Sequence, residues 1–343
     1  MIIEATTPAR IDLAGGTVDV FPLYLLTEGG MTVNAAINWR CKVRIETRDD
    51  KAIEIHSLDL GEKERFSDVD AISFGGKLDL IKRVIKFYHP AVGANVSTDH
   101  SIPKGSGLGA SSSLLIALSC ALNELNQSHL HPNRIIDYGA NIELQCIRVL
   151  TGKQDYFAAM YGGINALTFD ARGSRRERLM ISEETFRSLS ENIVLSFAGT
   201  PRFSGTTNWN LVRQFIENTG TTVENVENLK RNGLLMRECL IAGDLDRFVE
   251  LIRVEWENRK LCAAGVSNVH IDRMIEEAEK NGARASKLCG AGGGGCMITY
   301  VLPENREQVI ESLKANNARI MDFEFDMEGV KLKTSYYESD HED

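Results

Sequence analysis

The feature that most constrains this 343-residue chain is a glycine-rich stretch with glycines at positions 105, 107 and 109. A strand-like segment, Val96 to Ile102, precedes it, and an amphipathic pattern from Ser111 to Leu125 predicts a helix directly after it. Glycines let a backbone turn and approach a ligand, and the first N–H groups of a helix attract an anion. A tight turn capped by one serine is the simpler explanation, but three glycines and the serines at 111, 112 and 113 exceed that need. The stretch therefore predicts a phosphate-binding loop.

Two other glycine-rich segments, Ala14 to Gly16 and Gly290 to Gly295, lie near the two ends of the chain. The central loop is not a P-loop, because no Gly-Lys-Ser/Thr follows its glycines. The last segment formally matches the dinucleotide-binding fingerprint, but strand-like Cys296 to Val301 follows it where that fingerprint requires a helix. We therefore reject a Rossmann fold. A loop that closes over a substrate and a long hairpin turn both remain as interpretations.

Composition excludes several classes of protein. The formal net charge of −9, from 39 Lys and Arg against 48 Asp and Glu, disfavours binding to nucleic acid. No run reaches the roughly 18 apolar residues of a membrane span, and the first residues do not resemble a signal peptide. Seven cysteines, without a Cys-x-x-Cys pair, predict reduced and buried thiols. We expect a cytoplasmic α/β or α+β protein of about two domains, without a membrane partner.

Hydrophobic periodicity predicts mainly strands in the first hundred residues and mainly helices from Thr207 to about Asn281. Cys41 to Thr47 alternates as a half-buried strand, and Lys51 to His56 is its expected hairpin partner. The charged stretch 170–178 is expected to be an exposed connection, and the domain boundary is placed near residues 170–190. The other expected elements are helices at 78–88, about 132–150 and 304–316, and strands at 164–169, 284–288, 296–301 and 320–325.

Three charged residues could carry chemistry, although each has a simpler explanation when taken alone. Glu143 lies among apolar helix neighbours, and is either a solvated helix residue or a carboxylate turned into a site. Asp155 precedes a short helical segment as an N-cap would, and Arg10 alone would be a surface arginine. Together with the loop they supply what phosphoryl transfer needs: a phosphate site, a serine and a glutamate for Mg²⁺, an aspartate for the acceptor hydroxyl, and an arginine.

The combination resembles the GHMP kinases, the family of galactokinase, homoserine kinase, mevalonate kinase and phosphomevalonate kinase. Pro103 to Ser112 resembles their Pro-x-x-x-Gly-Leu-Gly-Ser-Ser-Ala motif, Lys287 to Gly295 their C-terminal glycine motif, and Pro8 to Asp19 their N-terminal motif. The resemblance implies an α+β, two-domain GHMP kinase fold. Residues 1–180 would form a ribosomal-protein-S5-domain-2-like α/β domain with a left-handed βαβ crossover, and residues 181–343 a ferredoxin-like α+β domain.

The resemblance also implies roles for individual residues. Asp155 matches the catalytic aspartate, Arg10 the basic residue beside the transferred phosphate, and Ser111 and Glu143 the Mg²⁺-binding pair. Arg202 could hold a sugar phosphate or be an ordinary surface arginine. The residues expected at ATP are Pro103, Lys104, Gly105, Ser106, Gly107, Leu108, Gly109, Ala110, Ser111 and Ser112. Those expected at the acceptor are Gly15, Gly16, Thr17, Asp19, Arg202, Lys287, Gly290, Ala291, Gly292 and Gly293.

Within the family, the Gly-Glu-His of galactokinase and mevalonate kinase is absent, and Ala14 to Asp19 is similar to the Ala-Gly-Gly-Gly-Thr-Asp of bacterial heptose kinases and fucokinase-type enzymes. Val18 interrupts the Gly-Thr-Asp part of that motif, and Ala110 replaces the first serine of the Gly-Leu-Gly-Ser-Ser motif. This branch implies an ATP- and Mg²⁺-dependent kinase, monomeric or homodimeric, for the anomeric hydroxyl of D-glycero-D-manno-heptose 7-phosphate, which feeds nucleotide-heptose and surface polysaccharide synthesis. The alternatives are another acceptor, such as fucose or mevalonate, and a catalytically silent homologue that only binds a ligand.

Overall fold

The computed structural model describes residues 1–199 and 205–336, with only the backbone described at 205–207. The elements of the first half are β1 (Ile2–Ala14), α1 (Leu23–Leu26), β2 (Gly30–Arg48), β3 (Ile53–Ser57), β4 (Glu62–Phe66), α2 (Asp79–Tyr88), β5 (Gly93–His100), α3 (Ala110–Leu125), α4 (Pro132–Ile147), α5 (Gln154–Tyr161), β6 (Ile164–Asp170) and β7 (Gly173–Arg178).

The second half is richer in helix, as its periodicity predicts. Its elements are α6 (Glu183–Asn192), β8 (Ile193–Phe197), α7 (Gly205–Ile216), α8 (Thr222–Ala242), α9 (Leu245–Cys262), α10 (Val269–Lys280), β9 (Ala283–Leu288), β10 (Cys296–Val301), a 3₁₀ turn (Pro303–Asn305), α11 (Arg306–Ala315), β11 (Arg319–Met321) and β12 (Lys331–Ser335).

An eight-stranded sheet forms the first domain, with β12, β1, β2, β5, β3 and β4 hydrogen-bonded in that order. The 19-residue β2 is long enough to pair with β6 along its first part and with β5 along its second. Strands β3 and β5 are parallel, and the chain connects them through β4 and α2. Helices α2 to α5 pack on this sheet, and Phe157 and Phe169 are fully buried between them.

A four-stranded antiparallel sheet forms the second domain, in the order β11, β8, β10, β9. With helices between β8 and β9 and between β10 and β11, this is the β-α-β-β-α-β arrangement of ferredoxin-like domains. The predicted α+β fold is therefore confirmed. The chain then returns to the first sheet, because β12 pairs with β1 from Thr6↔Lys331 to Ile2↔Ser335. Residues 331–335 thus follow the second domain in sequence but lie in the first sheet.

One buried hydrophobic core contains side chains from both domains and so holds the two domains against each other. Ile11 and Leu13 of β1 belong to the same buried cluster as Phe248 of α9 and Ile298 and Tyr300 of β10. The N-terminal strand is therefore packed against both halves of the molecule, and loops that leave its end can meet loops from the second domain.

Two local predictions were wrong. Lys51 to His56 does not form a hairpin with β2, since β5 lies between β2 and β3 and pairs with both. Ala94, Val96 and Thr98 of β5 are buried in this central position, and Ile53 and Ile55 of β3 are buried beside them. The charged stretch 170–178 contains β7, which pairs with β6 at the edge of the sheet, where charged side chains can remain in water.

Other predictions agree with the structure within a few residues. Helix α4 ends earlier than expected, at Ile147, because Arg148 adopts the left-handed conformation with φ 53°. All seven cysteines are free, six of them buried and Cys146 partly so, as their spacing predicts. Within residues 1–199 and 205–336, no helix combines the length and hydropathy needed to cross a membrane.

Candidate functional site

A cavity of about 690 Å³ lies where the three glycine-rich segments meet. One group of lining residues, named the Asp19 cluster, consists of Thr17, Asp19, Gly152 and Gln154. Another part of the wall is formed by Ser57, Asp59 and His100. Lys104, Gly105, Ser106, Gly107, Gly109, Ala110 and Ser111, all from the predicted phosphate-binding loop and the helix after it, also line the cavity.

The loop has the backbone geometry that its glycines predict. Gly105, Gly107 and Gly109 have φ of 71°, 71° and 77°, a backbone conformation that residues other than glycine rarely adopt. A Cβ at Gly107 would lie 2.5 Å from the carbonyl oxygen of Cys289, and one at Gly109 would lie 2.9 Å from the carboxylate of Asp155. Gly109 caps α3 without any side-chain hydrogen bond from the described residues. The serine-capped turn is therefore wrong, and the first N–H groups of α3 remain available to an anion.

The serines turn instead to Glu143, which is only 2% exposed and so is not a solvated helix residue. Ser111 Oγ donates to its Oε1 at 2.5 Å, Ser112 Oγ donates to its Oε2 at 2.9 Å, and the Tyr156 hydroxyl also donates to Oε2. Burial raises the pKa of Glu143, although these three donors oppose the shift. Ser111 and Glu143 thus place two kinds of oxygen ligand side by side at the start of α3.

Asp155 and Arg10 form an ion pair at the centre of the cavity. Arg10 Nε donates to Asp155 Oδ1 at 2.7 Å, and Nη2 lies 2.6 Å from the same oxygen. Arg10 also donates to the carbonyl of Gly107, and its backbone N–H donates to Leu108 O at 3.1 Å. Arg10 is buried and Asp155 does not cap α5, whose N-cap is Lys153. Both simpler explanations of these residues are therefore wrong.

The side chain of Asp155 remains 20% exposed, and both it and Arg10 line the cavity. Burial raises the pKa of Asp155 above its usual value, while the charge of Arg10 and the hydrogen bond from it limit the rise. The pair can therefore present a carboxylate to a ligand hydroxyl and a cation to a neighbouring anion.

Asp19 is held by two backbone N–H groups, with Thr17 N donating to Oδ1 at 3.1 Å and Gln154 N to Oδ2 at 3.0 Å. Its carboxylate packs against Gly152, where a Cβ would lie 2.0 Å from Oδ2. Burial raises the pKa of Asp19 to about 6. Val18, which interrupts the expected motif, is fully buried against Gly30, so its side chain lies in the core and Asp19 still faces the cavity.

The C-terminal glycine run connects β9 and β10, so it is the turn of a hairpin and also part of the cavity wall. Gly290 and Ala291 line the cavity, whereas Gly292 and Gly293 do not. Gly15 and Gly16 also lie behind the lining residues. A Cβ at Gly16 would lie 2.3 Å from Asp12 Oδ2.

Lys287 lies beneath the cavity rather than in it. Its ammonium group is buried, bonds the Asp12 carboxylate and donates to the Asp12 carbonyl at 3.1 Å. Glu255, also buried, accepts from Gly16 N at 3.2 Å and from Asn232 Nδ2 at 2.7 Å. Burial raises the pKa of Glu255, and the charge of Lys287 opposes that rise. This charged group holds the N-terminal glycine loop on the second domain.

Several lining residues have no counterpart among the sequence predictions. His100 Nε2 lies 3.1 Å from Asp59 Oδ2, and Ser57 Oγ donates to Asp59 Oδ1 at 2.8 Å. Gln154 lies in the stretch Thr151 to Asp155, which resembles the heptose kinase and fucokinase branch, but the resemblance gave it no role. Arg202 lies outside the described residues.

No group of three or more His, Cys, Asp and Glu side chains lies close enough to bind a metal in the parts of the chain that the structure describes. Ser111 and Glu143 offer hydroxyl and carboxylate oxygens, and these suit a hard cation that retains several waters.

A glycine loop at a helix start, a Ser–Glu pair and an Asp–Arg pair around one cavity are the groups of a phosphotransferase, so fold and site define a small-molecule kinase. The sequence matches the GHMP kinases N terminal domain over residues 79–163 and the GHMP kinases C terminal domain over residues 236–319. The chain therefore belongs to the GHMP kinase family and is an ATP-dependent phosphotransferase.

Full-length relatives differ in their acceptors. The chain is 27% identical over 339 residues to the D-glycero-alpha-D-manno-heptose 7-phosphate kinase of Campylobacter jejuni, covering 96% of this chain and 98% of that one. It is 28% identical over 332 residues to the mevalonate kinase of Methanothermobacter thermautotrophicus, with 95% and 99% covered. The solved D-glycero-D-manno-heptose 1-phosphate kinase from Bacteriodes thetaiotaomicron superposes with a TM-score of 0.81 at 25% identity, covering 98% and 100%.

We predict that Lys287→Met lowers the free energy of unfolding by about 3–5 kcal/mol, because removal of one member leaves the other charges of a buried group uncompensated. Urea denaturation measures the change. Lys280→Met, which removes an exposed lysine of α10, is the control and should have little effect. A loss for Lys287→Met no larger than that of the control would contradict the buried pairing.

We predict that Asp19→Asn changes the pH dependence of stability. With the pKa raised to about 6 in the folded chain and about 3.9 in the unfolded chain, the folded state binds the extra proton between these values. Ionisation of Asp19 therefore costs the wild type about 3 kcal/mol as the pH rises from about 4 to about 6, with no further loss above it. The difference in unfolding free energy between wild type and Asp19→Asn should follow this curve in urea titrations. A difference that is the same at every pH would refute it.

Proposed function

We propose that this protein transfers the γ-phosphoryl group of ATP to the anomeric hydroxyl of D-glycero-D-manno-heptose 7-phosphate, with Mg²⁺, in nucleotide-heptose and surface polysaccharide synthesis. The observation that carries the proposal is the position of the Asp155–Arg10 pair, which lines the same cavity as the phosphate-binding loop and the Asp19 cluster. A phosphoryl donor held by the loop and an acceptor held at Asp19 would both reach this pair. The free thiols favour a reducing compartment, so we place the protein in the cytoplasm.

The loop and α3 fit the phosphates of ATP. Positive φ at the three glycines opens the backbone towards the cavity, and Lys104 lines the cavity beside them. Lys104 forms no ion pair with the described residues, so its charge is available to a phosphate. The N-terminus of α3 adds uncapped N–H groups. Lys104 and the N–H groups of α3 would offset the negative charge of the ATP phosphates, although the chain as a whole is acidic.

Ser111 and Glu143 fit Mg²⁺, because their hydroxyl and carboxylate oxygens are already adjacent and Ser111 lines the cavity. When bound, Mg²⁺ would neutralise charge on the phosphate groups. Tyr156 and Ser112 orient the Glu143 carboxylate by hydrogen bonds from the side away from Ser111 Oγ. Ser112 thereby supports the site without lining the cavity, and Ala110 in place of serine leaves this set of bonds intact.

Asp155 would accept a hydrogen bond from the acceptor hydroxyl and orient it towards the γ-phosphate. Its pKa, raised by burial, makes the carboxylate a better proton acceptor than an exposed aspartate. Arg10 keeps that carboxylate ionised and offers its guanidinium to the charge of the phosphoryl group in transfer.

The acceptor assignment rests on the Asp19 cluster and on the relatives. Carboxylate, hydroxyl and amide groups of Asp19, Thr17 and Gln154 lie together at the cavity wall, and such groups match the hydroxyls of a sugar. Mevalonate, the acceptor named for other relatives, carries a carboxylate, which the carboxylate of Asp19 would repel if it entered the Asp19 cluster. Two heptose kinases are similar over almost the whole chain.

An ADP-release assay against heptose 7-phosphate, unphosphorylated sugars, fucose and mevalonate tests the proposal. We expect the highest kcat/KM with heptose 7-phosphate and loss of turnover when EDTA removes Mg²⁺. Turnover on mevalonate but on no sugar would overturn the choice of acceptor. ADP release with none of these alcohols would favour a homologue that only binds a ligand.

Asp155→Asn should lower kcat on the active acceptor by at least about 100-fold, because the amide accepts a proton far less well than the carboxylate. The variant should remain folded at assay temperature, although with a lower melting temperature because buried Arg10 loses its charged partner. Asp137→Asn on α4, partly exposed and paired with Lys153, is the matched control and should change neither quantity. Wild-type kcat in Asp155→Asn would refute the proposed role.

A further inference from the structure

Gln154 has a side-chain amide without a hydrogen-bond partner among the described residues, although the residue is only 4% exposed. Its Oε1 is completely buried, and no bond of its Nε2 is found in the described part of the chain. Other buried side chains also have an unpartnered polar atom, but among the described residues only Gln154 also lines the cavity. Buried amides in folded proteins are nearly always paired, so this one calls for an explanation.

The backbone of Gln154 is fixed at both its N–H and its carbonyl, which holds the base of the side chain at the cavity wall. Its N–H donates to Asp19 Oδ2 at 3.0 Å, and its carbonyl accepts from Asn34 Nδ2 at 3.0 Å. Asn34 is itself fixed, because its Oδ1 accepts from Asn165 Nδ2 at 3.1 Å. Gln154 opens α5 directly before Asp155. Three buried polar residues, Asp19, Asn34 and Asn165, thus position the backbone of Gln154, whereas its side-chain amide binds none of them.

The Gln154 amide lies close to the N-terminal glycine loop. A Cβ at Gly16 would lie at an ordinary contact distance of 3.8 Å from Gln154 Nε2, and 2.3 Å from Asp12 Oδ2. Among the described residues this loop nevertheless offers the amide no hydrogen-bond partner.

We propose that the Gln154 amide binds the acceptor, through the hydroxyl on the carbon next to the one that is phosphorylated. An amide both donates and accepts hydrogen bonds, so it matches a hydroxyl, which does the same, and adds no charge beside Asp19 and Asp155. Gln154 and Asp155 both line the cavity at the start of α5, so two vicinal hydroxyls of one acceptor would have a polar side chain available for each of them. Gln154 is thereby a specificity residue for a polyol, and this inference rests on the proposed sugar kinase activity.

The test compares Gln154→Met, which keeps the length of the side chain but removes the donor and the acceptor, with wild type. Gln308→Met, on the exposed face of α11, is the matched control. We expect the KM for the acceptor to rise at least tenfold, the KM for ATP to change less than twofold, and the melting temperature to stay the same or rise. The control should change none of these quantities.

A second arm uses the 2-deoxy analogue of the sugar, which lacks the hydroxyl in question. Wild type should prefer the complete sugar by at least tenfold in kcat/KM, since a site built around a hydroxyl rejects an acceptor without one. Gln154→Met should lose most of this preference. A preference that persists in the variant, an unchanged acceptor KM, or equal losses for ATP and acceptor with a lower melting temperature would each overturn the inference.

Failure of the proposed function is seen separately, in the wild type. If wild type phosphorylates no sugar, the acceptor is wrong whatever the variant does. If wild type phosphorylates the sugar and Gln154→Met behaves like Gln308→Met, the kinase assignment stands and the role of Gln154 is refuted.

Discussion

The site depends on direct backbone contact between two glycine loops from different domains. Cys296 N donates to Ser106 O at 2.6 Å, and a Cβ at Gly107 or Gly295 would lie within 2.7 Å of a carbonyl oxygen of the other loop. Only glycine permits this approach, because any side chain would separate the loops. The glycine loop at 105–109 is therefore supported from behind by the second domain, and its conformation depends on both domains.

Strand β1 connects the contact between the two glycine loops to the ion pair of Arg10 and Asp155. Arg10 and Asp12 are two residues apart and so point to the same face of the strand, and both line the cavity. Each is paired with a residue from a different element, Arg10 with Asp155 of α5 and Asp12 with Lys287 of β9. An unpaired charge at either position would be costly to bury. Two residues on one face of this strand thus hold the Asp155 carboxylate and, through Lys287, the second domain.

The sequence predicted the elements that depend on neighbouring residues, and much less of the features that depend on residues far apart in the chain. The helix at 110–125 and the strand at 296–301 follow from periodicity and from their neighbours in the chain, and the structure has both. The place of β3 beside β5 could not be predicted, since it depends on competition between strands that are far apart in sequence. Glu143 and Asp155 became candidates from their charge, their places in predicted helices and the family resemblance. Glu255, in contrast, acquires meaning only from a partner more than two hundred residues away, and the side chain of Gln154 only from its place in the cavity wall.

Charge within the cavity bears on whether the acceptor already carries a phosphate. The Lys and Arg residues that line it in the described parts of the chain are Arg10, Lys77 and Lys104. Arg10 is bound to Asp155, Lys77 to Glu62, and Lys104 belongs to the phosphate-binding loop. The Lys77–Glu62 pair is exposed, and exposed ion pairs are weak, so Lys77 is the lining cation that can exchange its partner for a phosphate. A phosphate on the acceptor would therefore meet little fixed positive charge at the cavity wall, because the other two cations lie at Asp155 and at the glycine loop.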